Sequence, residues 1–408
     1  MRCGLLGEKL GHSYSPQIHS RLGGYAYDIY EKSTDELASF LKAGDFTGLN
    51  VTIPYKKAVI PYCSALTDRA KALGAVNTLV RQPDGSLIGH NTDYFGFETM
   101  LKASGICITG KKVLVLGSGG ASNTAVSVLK EHGANVVVIS RSGADHYGNL
   151  ERHADATVIV NTTPVGMYPN VGISPVDLSK FPRLEGVLDV IYNPARTQLL
   201  LDAEKRGLVA MNGLLMLVAQ AKESAEWFTG EKIRDDVIHS IHQSLKNQME
   251  NIVLIGMPGS GKSSVGMLLS QMTGKLFVDA DAAITRAAGM PIPEIFAKMG
   301  EAGFRRIESE VLKDLGKRSG IIIATGGGCV TREENYAPLH QNGTIFCLER
   351  DLELLPVEGR PLSQSTSLRE MYAIRKPLYD RFADHHIRND STIQNAAQAI
   401  LNILEGNT

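Results

Sequence analysis

Short apolar runs alternate with stretches of helical periodicity over the middle of the chain. Between residues 110 and 212 the apolar runs have the length of buried strands, and they fall at 112–116, 135–139, 157–160, 187–191 and 208–211. Strands that alternate with helices in this way predict a parallel, doubly wound sheet, because each helix carries the chain back to start the next strand at the same edge.

The segments on either side carry shorter elements. Before residue 110 the pattern predicts strands at 2–7 and 49–53 and helices at 36–43 and 57–66. It also predicts a hairpin at 78–88 around Pro83-Asp84-Gly85. After residue 212 it predicts two helices, at 213–228 and 233–245, that pack back on this first block. A polar stretch follows at 246–251, and an apolar strand at 252–255 begins a second α/β unit.

The predicted fold class is therefore α/β, with three domains. Residues 1–100, joined by 214–245, form an α/β domain, and residues 101–213 form a Rossmann-like domain. Residues 246–251 are the linker. Residues 252–408 form a further α/β domain with a parallel sheet.

Composition narrows the function classes. The chain has 408 residues and a formal net charge of −1, so it is too long for one core and has no overall field that would attract nucleic acid or a membrane surface. It has no apolar run of about 18 residues and does not open on a signal peptide. Its five cysteines are scattered, as is typical of free thiols. We therefore expect a cytoplasmic protein.

A glycine-rich loop follows the strand at 112–116 and reads Gly117-Ser118-Gly119-Gly120-Ala121. Its glycines permit a tight turn and a close approach of the backbone to a pyrophosphate, and the next helix directs N–H groups at the phosphates. The following strand ends in Ser140-Arg141-Ser142, where an NAD site would carry an acid, so Arg141 favours the 2′-phosphate of NADP. The alternative is that Arg141 is a solvated residue at a strand end.

A second loop, Gly256-Met-Pro-Gly-Ser-Gly-Lys-Ser263, has the P-loop spacing. Its N–H groups would surround the β-phosphate of ATP, Lys262 would reach the β- and γ-phosphates, and the Ser263 hydroxyl would ligate Mg²⁺. Asp279 and Asp281 end the next strand and point to one side of it, so one can serve the metal and the other an acceptor hydroxyl. The alternative is a strand-end turn with solvated acids.

Polar clusters that a packed core would not accept occur at 13–15, 50–56, 75–78 and 89–93. A lysine and an aspartate from separate loops of this block could form a proton-handling pair, because the ammonium holds the carboxylate ionised and can pass a proton to an alkoxide.

Residues 1–245 resemble shikimate dehydrogenase. The resemblance is carried by Gly-His-Ser13-Tyr-Ser15-Pro, Asn50-Val-Thr-Ile-Pro-Tyr-Lys56, Gly-Ala-Val-Asn77-Thr, Asn91-Thr-Asp93, Gly-Ser-Gly-Gly-Ala121, Asn161-Thr-Thr-Pro-Val-Gly-Met167, Asp189-Val-Ile-Tyr192-Asn-Pro and Asn-Gly213-Leu-Leu-Met-Leu-Val-Ala-Gln220-Ala. It implies that 1–100 with 214–245 bind the substrate and that 101–213 bind NADP(H).

The same resemblance implies roles for individual residues. Lys56 and Asp93 would be the catalytic pair, and Ser13 and Ser15 would bind the substrate carboxylate. The remaining substrate contacts would come from Thr52, Asn77, Asp93, Tyr192 and Gln220. The cofactor contacts would come from Gly117, Ser118, Gly119, Gly120, Ala121, Ser140, Arg141 and Ser142, with Val190 and Gly213 along the nicotinamide.

Residues 252–385 resemble shikimate kinase, which implies that 252–408 form a P-loop domain of the nucleoside-monophosphate-kinase type with a parallel sheet. The matching stretches are the P-loop, Phe-Val-Asp279-Ala-Asp281, Ile-Phe-Ala-Lys-Met-Gly-Glu301-Ala-Gly-Phe304-Arg305-Arg-Ile-Glu308, Thr-Gly326-Gly-Gly328, Gly-Arg360-Pro-Leu and Arg375-Lys-Pro-Leu-Tyr379. The resemblance implies that Asp281 and Lys262 are catalytic and that Asp279, with Ser263, holds Mg²⁺ through water. It places ATP on Gly259, Ser260, Gly261, Lys262, Ser263, Ser264 and the lid residue Arg360, and shikimate on Asp281, Phe304, Arg305, Glu308, Gly327, Gly328 and Arg375.

Together the two resemblances imply a bifunctional enzyme of the route to chorismate and the aromatic amino acids. It would reduce 3-dehydroshikimate with NADPH and then phosphorylate the shikimate with ATP and Mg²⁺. The alternatives are a quinate/shikimate-type dehydrogenase joined to a kinase of another small hydroxy acid, and a non-catalytic shikimate sensor. No nucleic-acid or membrane partner is expected.

Overall fold

Parallel strands dominate the computed structural model, which describes residues 1–11, 13–355 and 368–406. These residues fall into two compact units. One comprises the described residues of 1–166, 174–192 and 199–244, and the other comprises 167–173, 193–198 and the described residues from 245 onward. The α/β class predicted from the sequence is confirmed in both units. No helix in the described part of the chain is long and apolar enough to cross a membrane.

The N-terminal sheet has six strands, β1 (Arg2–Gly7), β2 (Ala26–Glu31), β3 (Gly48–Val51), β4 (Ala65–Leu66), β5 (Thr78–Arg81) and β6 (Leu87–His90). They lie in the order β2-β1-β3-β5-β6-β4, with β1 parallel to both of its neighbours and β5 antiparallel to both of its own. Its helices are α1 (Ser15–His19), α2 (Thr34–Ala43), α3 (Asp68–Leu73) and α4 (Asp93–Ala103). The predicted hairpin is confirmed, and Asp84 Oδ1 accepts a hydrogen bond from the N–H of Ser86 at its tip, at 2.9 Å.

One predicted helix of this block is wrong, and strand β2 was not predicted. The helix predicted at 57–66 is wrong, since the segment forms a short 3₁₀ helix, Ile60–Tyr62, followed by β4. Pro61 lacks the N–H that an α-helix would need at this point. Strand β2 escaped prediction because it is an edge strand whose side chains are half-buried or exposed, so it carries no continuous apolar face.

The second sheet confirms the doubly wound pattern. Its elements are β7 (Lys112–Leu116), α5 (Gly120–Glu131), β8 (Asn135–Ile139), β9 (Val158–Asn161), β10 (Gly186–Asp189), α6 (Gln198–Lys205) and β11 (Val209–Met211). All neighbouring strands are parallel, in the order β11-β10-β9-β7-β8. Strands β9 and β10 are buried at every position, as expected for a parallel sheet covered on both faces.

Two helices follow, α7 (Leu214–Thr229) and α8 (Asp236–Met249). Helix α7 packs on α1 and α4 and on β3 and β5, so its predicted return to the first block is confirmed. Helix α8 runs beyond the predicted end at 245 into the predicted linker, and the next strand begins at Asn251. Only Glu250 therefore separates the two elements, and the polar residues Lys246, Asn247 and Gln248 are exposed or half-buried positions of the helix rather than an extended linker.

The third sheet belongs to the second unit. Its elements are β12 (Asn251–Ile255), α9 (Lys262–Thr273), β13 (Leu276–Asp279), α10 (Ala280–Ala288), α11 (Ile292–Gly316), β14 (Ile321–Ala324), α12 (Tyr336–His340), β15 (Gly343–Glu349), α13 (Leu368–Phe382), β16 (His385–Arg388) and α14 (Ile393–Leu404). The five strands are parallel, in the order β13-β14-β12-β15-β16. The carboxyl ends of β12, β13 and β14 therefore meet at one edge, where ligands bind in such sheets.

Close contact between α4 and α7 depends on Gly96. A Cβ at this position would lie 2.7 Å from the carbonyl oxygen of Met216. We expect Gly96→Ala to lower the free energy of unfolding of the first unit by about 1–3 kcal/mol, because the backbone of α7 must move away. Thermal unfolding checks this, with Gly24→Ala as the control because a Cβ there meets no atom within 4 Å. Equal stability of the two variants would contradict the expectation.

Candidate active sites

Lys56 and Asp93 form an ion pair in the first unit. Lys56 Nζ lies 2.6 Å from Asp93 Oδ2, with the side chains 27% and 14% exposed. Lys56 lies in the turns that follow β3, and Asp93 is the first residue of α4. Because the ammonium stays accessible while a carboxylate holds it in place, it can donate a hydrogen bond or a proton to a substrate oxygen.

Asn77 fixes the orientation of Asp93. The backbone N–H of Thr92 donates to Asn77 Oδ1 at 2.8 Å. This donor decides which way the amide is turned, so the Asn77 NH₂ group faces Asp93 Oδ1 and donates to it at 2.9 Å. Asn77 is buried. One carboxylate oxygen of Asp93 is therefore engaged by Asn77, and the other is left for Lys56.

A buried serine, Ser224 of α7, connects this pair to the rest of the block. Its hydroxyl lies 2.7 Å from Asn50 Nδ2, 2.9 Å from Thr78 Oγ1 and 3.0 Å from Thr92 Oγ1. It also donates to the carbonyl of Gln220, one turn earlier, at 2.9 Å. The sequence analysis missed Ser224. Its spacing of four residues from the predicted contact Gln220 was the available signal, because such residues share a helix face.

The other predicted substrate residues of this unit lie in two groups. Gln220 Oε1 is 3.5 Å from Thr92 Oγ1, beside the ion pair, and Thr52 is half-buried just after β3. In the second group, Ser13 Oγ accepts a hydrogen bond from the Ser15 N–H at 3.2 Å. The ring of Tyr192 meets the ring of Tyr14 edge-on, with centroids 6.2 Å apart.

Burial sets the protonation of the tyrosines near this second group. Burial raises the pKa of Tyr192 above its ordinary value, and the neighbouring Tyr14 adds to the effect. Tyr192 therefore remains a hydroxyl donor at neutral pH. The Tyr27 hydroxyl donates to Asn50 Oδ1 at 2.7 Å. Since Asn50 also contacts Ser224, a polar path joins Tyr27 to the surroundings of the ion pair.

The first glycine loop leaves an open surface at the start of α5. Gly117 follows β7 with φ at +105°, in the region that favours glycine. A Cβ on Gly119 or Gly120 would meet no atom within 4 Å. Ser118 is exposed and Ala121 is half-buried. The free N–H groups of the helix N-terminus therefore face unfilled space, as a pyrophosphate requires.

Arg141 is exposed after β8, between Ser140 and Ser142. Within the part of the chain that the structure describes, it forms no ion pair. The nearby carboxylate of Asp145 lies 2.9 Å from His153 Nε2 and is thus already engaged. Because no acid among the described residues pairs with it, the arginine fits a 2′-phosphate better than a ribose hydroxyl.

Val190 and Gly213 are in direct contact at the end of β10. A Cβ on Gly213 would lie 2.1 Å from the Val190 carbonyl oxygen, so only glycine allows this approach. The structure thus brings together the two residues expected along a nicotinamide ring.

The second glycine loop has the geometry of a phosphate site. Gly256 leaves β12 with φ at +136°. Lys262, at the start of α9, is buried and donates to the carbonyls of Gly256 and Met257, each at 2.9 Å. Ser263 Oγ donates to Asp279 Oδ2 at 2.9 Å. A hydroxyl and a carboxylate side by side are the oxygen ligands that Mg²⁺ prefers, so these residues fit the ion.

A cleft of about 700 Å³ opens above this loop. It is lined by almost all described residues predicted for this unit, namely Gly259, Gly261, Lys262, Ser263, Ser264, Asp279, Asp281, Phe304, Arg305, Glu308, Gly327, Gly328 and Arg375. Ser260 differs, because its side chain is fully buried and its carbonyl accepts from Asn389 at 2.7 Å. Arg360 lies outside the described residues.

Arginines and acids line the cleft together. Arg305 Nη1 donates to Glu308 Oε2 at 2.7 Å, and Arg375 donates to the Gly327 carbonyl at 3.2 Å. Burial raises the pKa of Glu308 above its ordinary value although the Arg305 guanidinium opposes this, and Asp281 adds to the rise. The Arg305 guanidinium packs so closely on Gly328 that a Cβ there would lie 2.1 Å from it.

Comparison with known proteins identifies the family of the first unit. Residues 5–79 match the shikimate dehydrogenase substrate binding domain. Shikimate dehydrogenase (NADP(+)) from Clostridium perfringens strain SM101 is 36% identical over 265 residues, which cover 60% of this chain and 97% of that protein. The chain belongs to the shikimate dehydrogenase family.

Solved structures of shikimate dehydrogenases are also similar to this part of the chain. Shikimate dehydrogenase 1 from Peptoclostridium difficile is similar at 39% identity with a TM-score of 0.56, covering 60% of this chain and 97% of that one. A chorismate mutase/shikimate 5-dehydrogenase fusion protein from Clostridium acetobutylicum is similar at 36% identity with a TM-score of 0.57 and the same coverage. Residues 258–405 match shikimate kinase, so the chain joins a shikimate dehydrogenase region to a shikimate kinase region.

The buried position of Ser224 generates a test. Ser224→Ala leaves Asn50 Nδ2 without a close acceptor and loosens Thr92, so Asn77 and Asp93 lose their fixed position. We expect the dehydrogenase kcat to fall about tenfold, corresponding to ~1.4 kcal/mol, with a smaller change in KM. The kinase rate of the same protein should not change. Ser39→Ala, at an exposed serine that also donates to a carbonyl of its own helix, is the matched control. An unchanged kcat for Ser224→Ala would rule out the positioning role.

Proposed function

We propose that this chain converts 3-dehydroshikimate to shikimate 3-phosphate in two reactions. The shikimate dehydrogenase region reduces the C3 ketone, and the shikimate kinase region phosphorylates the hydroxyl formed there. The observation that carries the proposal is the grouping of reactive side chains in each unit: the Lys56–Asp93 pair in one, and Lys262, Ser263, Asp279 and Asp281 around one cleft in the other. NADPH supplies the hydride and MgATP supplies the phosphoryl group when they are bound.

In the first reaction Lys56 stabilises the oxygen at C3 as it gains negative charge and then protonates it. Asp93 keeps the ammonium in place and is itself held by Asn77. Ser13 and Ser15 bind the substrate carboxylate, and Thr52, Tyr192 and Gln220 bind the remaining polar groups of the ring. Val190 and Gly213 line the nicotinamide.

The cofactor of this reaction is NADP(H) rather than NAD(H). Arg141 supports this choice because it stands exposed beside the glycine loop without an acidic partner among the described residues. Ser140 and Ser142 add hydroxyl donors on either side, and residues 117–121 hold the pyrophosphate.

In the second reaction Asp281 positions the C3 hydroxyl and accepts its proton. Lys262 and the N–H groups of residues 259–264 neutralise the phosphates, and Ser263 and Asp279 hold Mg²⁺, the latter through water. Arg305 and Arg375 bind the shikimate carboxylate, with Phe304, Glu308, Gly327 and Gly328 around the ring. Arg360 is assigned to the lid over the phosphates.

We also propose the domain division given by the sequence, with substrate binding by 1–100 and 214–245, NADP binding by 101–213 and kinase activity from 252 onward. A reducing cytoplasm suits the chain, since its five cysteines are free thiols and its reactions need NADPH and ATP. Both family matches are to shikimate enzymes, so a kinase of another hydroxy acid and a non-catalytic sensor gain no support from them.

Reciprocal variants test the two assignments. Lys56→Met should lower the rate of 3-dehydroshikimate reduction at least about a hundredfold, because the general acid is lost, and should leave phosphorylation of added shikimate unchanged. Asp281→Asn should do the reverse. NADPH oxidation and ADP release, measured separately on each full-length variant, report the two reactions, and each unaffected activity is the folding control. A Lys56→Met protein that still reduces the ketone at the normal rate would overturn the first assignment, and an active Asp281→Asn kinase would overturn the second.

A further inference from the structure

Arg350 lines the kinase cleft but is not among the residues to which the proposed function gives a role. It directly follows β15 and is half-buried. Its Nε is shielded from solvent and lacks a hydrogen-bond acceptor, and its side chain makes no ion pair with any residue in the described ranges. A shielded donor without an acceptor destabilises the protein, so we expect a bound ligand to supply the acceptor.

Strand order places Arg350 on a different side of the P-loop from the acids. Strand β12, which leads into the loop, lies between β14 and β15. Asp279 and Asp281 follow β13, and the 326–328 glycines follow β14, on one side. On the other side Ile255 is level with Cys347, and the Leu348 carbonyl oxygen lies 2.5 Å from where a Cβ on Gly256 would be. Arg350 is two residues further along that edge.

The other cations of the cleft already have partners. Arg305 pairs with Glu308, Arg375 donates to the Gly327 carbonyl, and Lys262 donates to carbonyls of the loop itself. Arg350 is therefore the cleft-lining guanidinium that forms neither a hydrogen bond nor an ion pair with any described residue. A guanidinium keeps its charge at any physiological pH and matches the paired oxygens of a phosphate group.

We propose that Arg350 is a phosphate-binding residue of the kinase site, which contacts the nucleotide on the side away from the acceptor. The inference rests on the proposed function, in which MgATP occupies the P-loop. In phosphoryl transfer the attacking and leaving oxygens lie roughly in line on opposite sides of the γ-phosphorus. Asp281 marks the attacking side. Arg350 then faces the β-phosphate oxygens, which gain negative charge as the bond from the γ-phosphorus to the bridging oxygen breaks.

The test uses the full-length protein and MgADP as the probe. Arg350→Ala should weaken MgADP binding, measured by calorimetry, about tenfold or more, the loss expected for a charge-assisted hydrogen bond, and should lower the kinase kcat. Shikimate affinity should stay within about twofold. Arg350→Lys should recover part of the MgADP affinity, because the charge remains but the paired donors do not.

Controls separate this proposal from the proposed function. Arg369→Ala removes an exposed arginine that lies 3.8 Å from Glu353 and should bind MgADP normally, and the dehydrogenase rate of each variant reports folding. Unchanged MgADP affinity in Arg350→Ala would overturn the inference, as would a loss of shikimate affinity instead. Failure of the parent chain to phosphorylate shikimate would overturn the proposed kinase function, while the MgADP measurement would still decide the role of Arg350.

Discussion

Both candidate sites depend on one constraint: the chain must leave a buried parallel strand in a backbone conformation that only glycine adopts readily. Gly117 does so after β7 and Gly256 after β12, with φ at +105° and +136°. Neither position has room for a side chain, since a Cβ would lie 2.9 Å from Thr162 Oγ1 in one case and 2.5 Å from the Leu348 carbonyl oxygen in the other. These turns expose the N-termini of α5 and α9, and the phosphate chemistry of each unit follows from that exposure.

Around the turns, buried polar groups restrict one another. Asn77 can donate to Asp93 because the Thr92 N–H occupies its oxygen, and Thr92 is in turn held by Ser224. In the second unit Arg305 and Glu308 form a buried pair against Gly328. Such groups are costly unless each finds a partner. In the first unit these hydrogen bonds hold the reactive side chains in place before a ligand arrives. In the second unit Arg305 Nε and Glu308 Oε1 are buried and lack a partner among the described residues.

The local sequence pattern predicted strands that are surrounded by apolar residues, such as β7, β9 and β10. It also predicted the glycine loops, whose residue spacing is typical of phosphate sites. It failed where one residue changes the outcome, as Pro61 does at 57–66, and at β2, an edge strand without an apolar face. Ser224 and Arg350 could not be found locally. Ser224 meets Asn50 174 positions away in the chain, and Arg350 reaches the P-loop only because β15 pairs with β12. Their surroundings are set by topology.

The central claim is that one chain transfers a hydride to C3 of the substrate and then a phosphoryl group to the oxygen on the same carbon. The most direct test supplies the purified chain with 3-dehydroshikimate, MgATP and NADPH deuterated at the transferable position, and determines the product mass. The account predicts a phosphorylated product that contains one deuterium. Deuterated shikimate that stays unphosphorylated, or a phosphorylated product without deuterium, would contradict it.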